Sequence, residues 1–211
     1  MTPSATVWHR HRRPAGAPRP PLLVAGPDLE GSAGELDALA VVWPGANRLD
    51  GPAATVQAVL DGFGSADLVH VAAHGTFRSD SPLFSTLRLA DGVLTVYDIE
   101  GLDRVPTTVV LPACSAAAAD VRSGDELLGT TAALLATGVT TVVAPVVAIP
   151  DRTAAAFTVG LHQRLRAGLP VARAAAGAAA ELRATGDPLS VLTAISFICV
   201  GGNDRTSPPV P

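Results

Sequence analysis

At 211 residues the chain has room for one α/β domain with a buried core and not comfortably for two, and its 48% apolar share is ordinary for a globular protein. Aromatics make up only 4%, so Ala, Val and Leu must fill the interior. The net charge of −4 splits unevenly: residues 1–20 hold Arg10, Arg12, Arg13 and Arg19 and no acid, leaving 11 Arg against 19 acids, a mildly acidic body that argues against a nucleic-acid-binding surface.

In chain order, residues 1–21 read as a basic, Pro-rich arm outside the fold, ended by Pro14, Pro18, Pro20 and Pro21. Leu22-Leu23-Val24-Ala25 is a short apolar run suited to a buried strand. Residues 28–42 carry Leu36, Leu39 and Ala40 at helical spacing before a Trp43-Pro44-Gly45 break. A short strand at 47–49 and a helix at 55–63 follow, with Thr55 as N-cap. The strand at 68–73 runs directly into His74-Gly75. Asp91-Gly92 between Leu87-Arg88-Leu89 and Val93-Leu94-Thr95 signals a β-hairpin. Residues 108–111 form another buried strand, leading to Pro112-Ala113-Cys114-Ser115. Helices are expected over 125–137, 152–166 and 170–183, with strands at 140–148 and 195–200 and a frayed tail at 204–211. Strands alternating with helices predict βαβ units: an α/β three-layer sandwich with a mainly parallel sheet and an inserted hairpin.

Two cysteines cannot form a disulfide framework, and no Cys/His cluster has metal-ligand spacing, so neither metal nor cofactor is expected. The N-terminus lacks the apolar core of a secretory signal, and no apolar stretch reaches the roughly 18 residues of a membrane span. A cytoplasmic protein without a membrane partner is expected. The absence of Lys beside abundant Ala, Gly and Pro suggests a GC-rich bacterial genome.

Open parallel sheets bind ligands at the carboxyl ends of their strands. His74 ends one strand, and Cys114 ends the strand that should neighbour it once the hairpin is set aside. Adjacent strands lie roughly 4.8 Å apart, the spacing a thiol nucleophile and an imidazole base require. Gly75 has no side chain to block its amide, which with the amide of Cys114 forms a candidate oxyanion hole. A lone Cys at a strand end is as a rule a small core residue and a lone His structural, so the pair alone leaves the question open.

The residues also resemble a known family. His70-Val71-Ala72-Ala73-His74-Gly75 is similar to the H-x-x-x-H-G segment of CHAT domains, caspase-like peptidases often found beside TPR repeats. Leu87 to Thr95 resembles their L-x-L-x-D-G-x-L-T stretch, Leu111-Pro112-Ala113-Cys114 their L-S-A-C motif, and Gly124-Asp125-Glu126-Leu127-Leu128-Gly129 their G-D-E-x-L-G helix start. Residues 142–151 with Leu161, His162 and Leu165 resemble actinobacterial members. The likeness runs from about residue 22 to 202, and a domain is expected over 22–203. It implies a caspase-like fold, with His74 as base and Cys114 as nucleophile of a cysteine endopeptidase acting on a protein or peptide substrate, and with a TPR-like or other protein as regulatory partner. Ser115 to Ala119 departs from the acidic-Gly pattern of many members, and Ala144-Pro145-Val146 from their S-L-W. These departures motivate the alternative, a catalytically silent interaction domain. A flavodoxin-like nucleotide-binding reading lacks a GxGxxG or P-loop lysine.

Other residues have plainer roles. His70, four before His74 and on the same strand face, is either an orienter of the site or a half-buried structural histidine. Ser115 and Asp120 are candidates to border the substrate cleft, Asp120 as a partner for a basic side chain. Asp125 and Glu126 fit a first helical turn, Asp151 an N-cap, His162 a solvated helix face and Cys199 the core.

Overall fold

The computed structural model describes residues 19–76, 78, 80–112 and 123–202, with residues 123–128 described by backbone alone. Six strands make the central sheet: β1 (Leu22–Ala25), β2 (Asn47–Leu49), β3 (Leu68–Ala72), β7 (Thr108–Val110), β8 (Thr141–Pro145) and β9 (Phe197–Gly201), in the order β2-β1-β3-β7-β8-β9. All pairings are parallel except β8 with β9. A smaller antiparallel sheet joins β4 (Gly75–Thr76), β5 (Thr86–Arg88) and β6 (Val93–Thr95) in chain order. The hairpin expected around Asp91-Gly92 is its second half, and Asp91 also caps the neighbouring helix, its Oδ1 accepting from Val56 N at 2.8 Å.

The continuous apolar runs of β1, β3, β7 and β8 follow from burial of both sheet faces. Leu22, Val24, Val69, Val71, Val109 and Val142 point into one core with Phe63 of α2 (Val56–Ser65), Ile99 of α3 (Val96–Glu100) and Leu134 of α4 (Ser123–Thr137). On the opposite face Leu23, Ala25 and Ala72 meet Leu36 and Leu39 of α1 (Ser32–Val42). Val110 and Val143 meet Phe157 and Leu161 of α5 (Asp151–Arg166), Ala174 and Ala178 of α6 (Val171–Ala184) and Ala194 of α7 (Pro188–Ser196). Scarce aromatics are replaced by close approach: a Cβ on Gly160 of α5 would lie 3.5 Å from Ala178 of α6. Phe157 and Phe197 stack at 3.8 Å between centroids.

Local chemistry accounts for most boundaries. The Thr55 hydroxyl accepts from Ala58 N at 3.2 Å, the expected cap, and α1 stops at Trp43-Pro44. Asp151 is the first residue of α5 and not its N-cap, a place taken by Pro150. The last strand begins at Phe197; Ile195 lies in α7, a helix absent from the sequence-based expectation, although Asp187 caps it through Ser190 N at 2.8 Å and Pro188 opens it. The end of the basic arm is already tied down, with Arg19 Nη2 2.6 Å from Asp67 Oδ1 and its Nη1 donating to the Gly64 carbonyl at 2.9 Å. Among the described residues no helix is long and apolar enough to cross a membrane.

Candidate active site

The carboxyl ends of β1, β3, β7 and β8 open onto one rim, and His74 stands on it two residues past the end of β3. Its Nε2 lies 2.8 Å from the backbone carbonyl of Asp28, in the loop after β1. A carbonyl only accepts, so Nε2 carries the proton and Nδ1 is the unprotonated nitrogen of the neutral ring. That Nδ1 is buried and has no hydrogen-bond partner among the described residues. An imidazole held in one tautomer with its free lone pair pointing elsewhere is prepared to take a proton.

The carbonyl is presented by an unusual backbone. Asp28 has φ 59°, the left-handed region, and is the one described non-glycine residue there; such a conformation costs on the order of 1–2 kcal/mol. Three bonds close a ring around it. The His74 imidazole donates to the Asp28 carbonyl, Arg88 N of β5 donates to the His74 carbonyl at 2.8 Å, and Arg88 Nη2 sits 3.0 Å from the Asp28 carboxylate. The ion pair is exposed and contributes little stability alone; its value is geometric. Gly26 allows the three segments to approach. A Cβ there would meet the Arg88 carbonyl at 2.6 Å and Ala73 Cβ at 2.7 Å. Gly26→Ala is therefore expected to destabilise the fold by about 1–3 kcal/mol, lowering Tm by several degrees in a thermal melt. Gly64→Ala, whose Cβ meets nothing within 4 Å, is the control.

Cys114, Ser115 and Asp120 lie outside the described residues. Gly75 directly follows His74 in β4 and pairs with Leu87. The Arg88 N–H to His74 carbonyl bond makes this a non-hydrogen-bonded pair, so the Gly75 amide points away from β5. Asp28 had no signal in the sequence reading, because what it contributes is a main-chain oxygen.

His70 is neither half-buried nor in contact with His74. Both it and His162 are fully buried, and the expectation of a solvated face for His162 is overturned. The physical reason is a chain of donors beneath the sheet. Trp43 Nε1 donates to His162 Nδ1 at 3.0 Å, an indole N–H being a donor only. His162 must then carry its proton on Nε2, which donates to His70 Nδ1 at 3.2 Å. The His70 proton falls on Nε2, 3.4 Å from Glu35 Oε1, too long and misaligned for a full hydrogen bond. The Thr158 hydroxyl donates to the same oxygen. Burial holds the His162 imidazole far below its ordinary pKa, and any positive charge on the neighbouring His70 would act in the same direction. Burial would push the Glu35 carboxyl up, but His70 and Thr158 outweigh it and hold it below the usual range. Cys199 is half-buried in β9, its thiol pushed up by burial.

A six-stranded, mainly parallel sheet between helical layers, with a histidine at its carboxyl rim, has counterparts among solved structures. The mature and pro-domain complex of Porphyromonas gingivalis RgpB superposes with a TM-score of 0.57 at 12% identity, covering 86% of this chain and 47% of that one. The Saccharomyces cerevisiae separase–securin complex gives 0.56 at 15% identity, covering 87% of this chain and 12% of that one. The Arg-specific cysteine proteinase gingipain R gives 0.52 at 13%, covering 86% and 46%. The fold is thus the caspase-like one of these peptidases, and the chain spans about half or less of each. The CHAT domain family profile matches residues 1–190, and the chain belongs to that family. Among proteins of curated function, none matches.

Proposed function

We propose that the chain is a cysteine endopeptidase domain, with Cys114 as nucleophile and His74 as general base and then acid. The observation that carries this reading is the fixed tautomer of His74 on the rim, with Nδ1 unpartnered among the described residues. The strand pairing supports it. β3, whose chain runs on to His74, is the parallel neighbour of β7, whose chain runs on towards Cys114. Caspase-like peptidases as structural neighbours agree with the chemistry.

In the reaction His74 Nδ1 takes the Sγ proton as sulfur attacks the substrate carbonyl. The oxyanion is met by the Gly75 and Cys114 amides. Collapse breaks the C–N bond, the imidazolium returns its proton to the leaving amine, and a thioester remains. Water attacks with its proton passing to Nδ1, which releases the acid and the thiolate. The Asp28 carbonyl accepts from Nε2 throughout and steadies the imidazolium.

Iodoacetamide labelling read by mass spectrometry tests the assignment. A base-paired Cys114 is expected to alkylate at least about tenfold faster than Cys199 at neutral pH, and faster labelling of Cys199 would overturn it. The securin of the separase complex and the pro-domain of RgpB are protein partners of those peptidases; a protein partner acting on this chain is the corresponding expectation here.

A further inference from the structure

Of the three bonds that close the ring around His74, two end on main-chain carbonyls, which every residue type has. The third joins two side chains, and so depends on Arg88 and Asp28 being what they are. We propose that Arg88 is a positioning residue: through the Asp28 carboxylate, its guanidinium keeps the Asp28 carbonyl in line with the His74 imidazole. The inference rests on the peptidase reading and adds to it a residue that acts through another.

The backbone explains why a hold is needed. Asp28 has φ 59°, the one described non-glycine residue with a positive φ. A side-chain-bearing residue stays in the left-handed region when the surrounding contacts fix it there. Released, Asp28 would relax to a commoner conformation and its carbonyl would turn away from the ring. Among the described residues, two polar contacts restrain it: the His74 imidazole at 2.8 Å from its carbonyl and Arg88 Nη2 at 3.0 Å from its carboxylate.

Arg88 can serve as the fixed post because its own main chain is pinned. Its amide donates to the His74 carbonyl at 2.8 Å, and it pairs with Val93 in the β5–β6 ladder. Its carbonyl abuts Gly26, where an added Cβ would come within 2.6 Å. Neighbouring side chains of a strand point to opposite faces. Leu87 packs against the core, and Arg88 is left to reach the loop after β1. The residue whose main chain sits behind the imidazole is thus the one whose side chain reaches the imidazole's acceptor.

A role in stability alone does not account for the pair. The two side chains are 58% and 66% exposed, and an exposed ion pair adds little to folding. Rate is far more sensitive than folding to the placement of a base, because proton transfer needs near-contact geometry. A weak contact that sets an angle therefore acts on kcat.

The test has two arms, both on the full chain. With nitrogen-15-labelled histidine, NMR shows a ring N–H proton when a hydrogen bond keeps it from exchanging with water. The His74 Nε2–H signal, assigned by its loss in His74→Gln, is expected in the wild type and in Arg88→Lys, whose ammonium can make the same single contact. It is expected to vanish in Arg88→Ala and in Asp28→Asn, which keeps the carbonyl and tolerates the left-handed region. The buried His162 Nε2–H is the internal reference for the fold. In the second arm, Arg88→Ala is expected to lower kcat on a cleavable peptide about tenfold with KM changed less than about twofold. Arg88→Lys should restore most of the rate, and the Asp28→Asn/Arg88→Ala double variant should be no slower than the slower single one. Arg48→Ala, which removes an exposed pairing with Asp37 and Asp50, is the control that leaves both readouts unchanged. A wild type without the His74 ring signal, a signal that survives in Arg88→Ala, or single effects that multiply would overturn the positioning role. A chain that cleaves no peptide yet loses the signal in Arg88→Ala overturns the peptidase reading and leaves the hold of Arg88 on the ring standing.

Discussion

His74→Ala is expected to lower kcat/KM on a cleavable peptide by about 10²–10⁴-fold, and Cys114→Ala to abolish hydrolysis, with Tm shifting little in His74→Ala. The expectation follows from what surrounds the ring. His74 is half-buried on the rim and makes one described hydrogen bond, to the Asp28 carbonyl. Its loss removes the base and one surface contact without opening the core. The other described histidines cannot substitute, since both nitrogens of His162 are engaged and His70 is sealed beneath the sheet. Stopped-flow hydrolysis of the peptide and a thermal melt measure the two halves. A fall of less than about tenfold would mean that the base lies elsewhere.

The second large effect is on stability. His162→Leu leaves Trp43 Nε1 without an acceptor and His70 Nδ1 without a donor, both buried, and is expected to cost about 2–5 kcal/mol. It should also change the pH dependence. The folded-state pKa of His162 is far below 6.5, so between the two values the unfolded chain binds more protons and stability falls as pH drops below about 6.5. Glu35 acts in the same direction at lower pH. Its depressed pKa gives stability that is present above the unfolded value of about 4.5 and lost as pH falls through the folded one. Urea midpoints from pH 8 to 5 are expected to decline for the wild type and to flatten in His162→Leu. An equal slope in both would show that His162 is not the group being titrated. Trp43→Phe keeps the ring and deletes only the donor, and is expected to reproduce a smaller part of the loss.

The sheet was readable because its signals are local. Each parallel strand is a short apolar run bounded by turn residues, and placing the strand of His74 beside that of Cys114 required only that the hairpin be set aside. The pairing of β3 with β7 agrees. What could not be read depends on distant partners or on main-chain atoms. His162 looks like a solvated residue in a helix with Gln163, Arg164 and Arg166 beside it; its donor and acceptor partners lie 119 and 92 residues away. The part Asp28 plays is carried by its carbonyl, which every residue type possesses, and by a backbone angle that only the assembled loops impose. The helix before β9 is a different matter. Asp187-Pro188 is a cap followed by a first-turn proline, a legible start signal that the apolar run of Ile195 to Val200 obscured.

One strand of the small sheet holds the histidine directly, through the main chain behind it, and indirectly, through the carboxylate of the residue whose carbonyl accepts its hydrogen bond. Anything that tugs on the β5–β6 hairpin, whose Ser85 is bonded to Thr130 of α4 at 2.7 Å, therefore pulls on both anchors at once. The ring and its acceptor are thus tethered to one ribbon, and their mutual geometry travels with it.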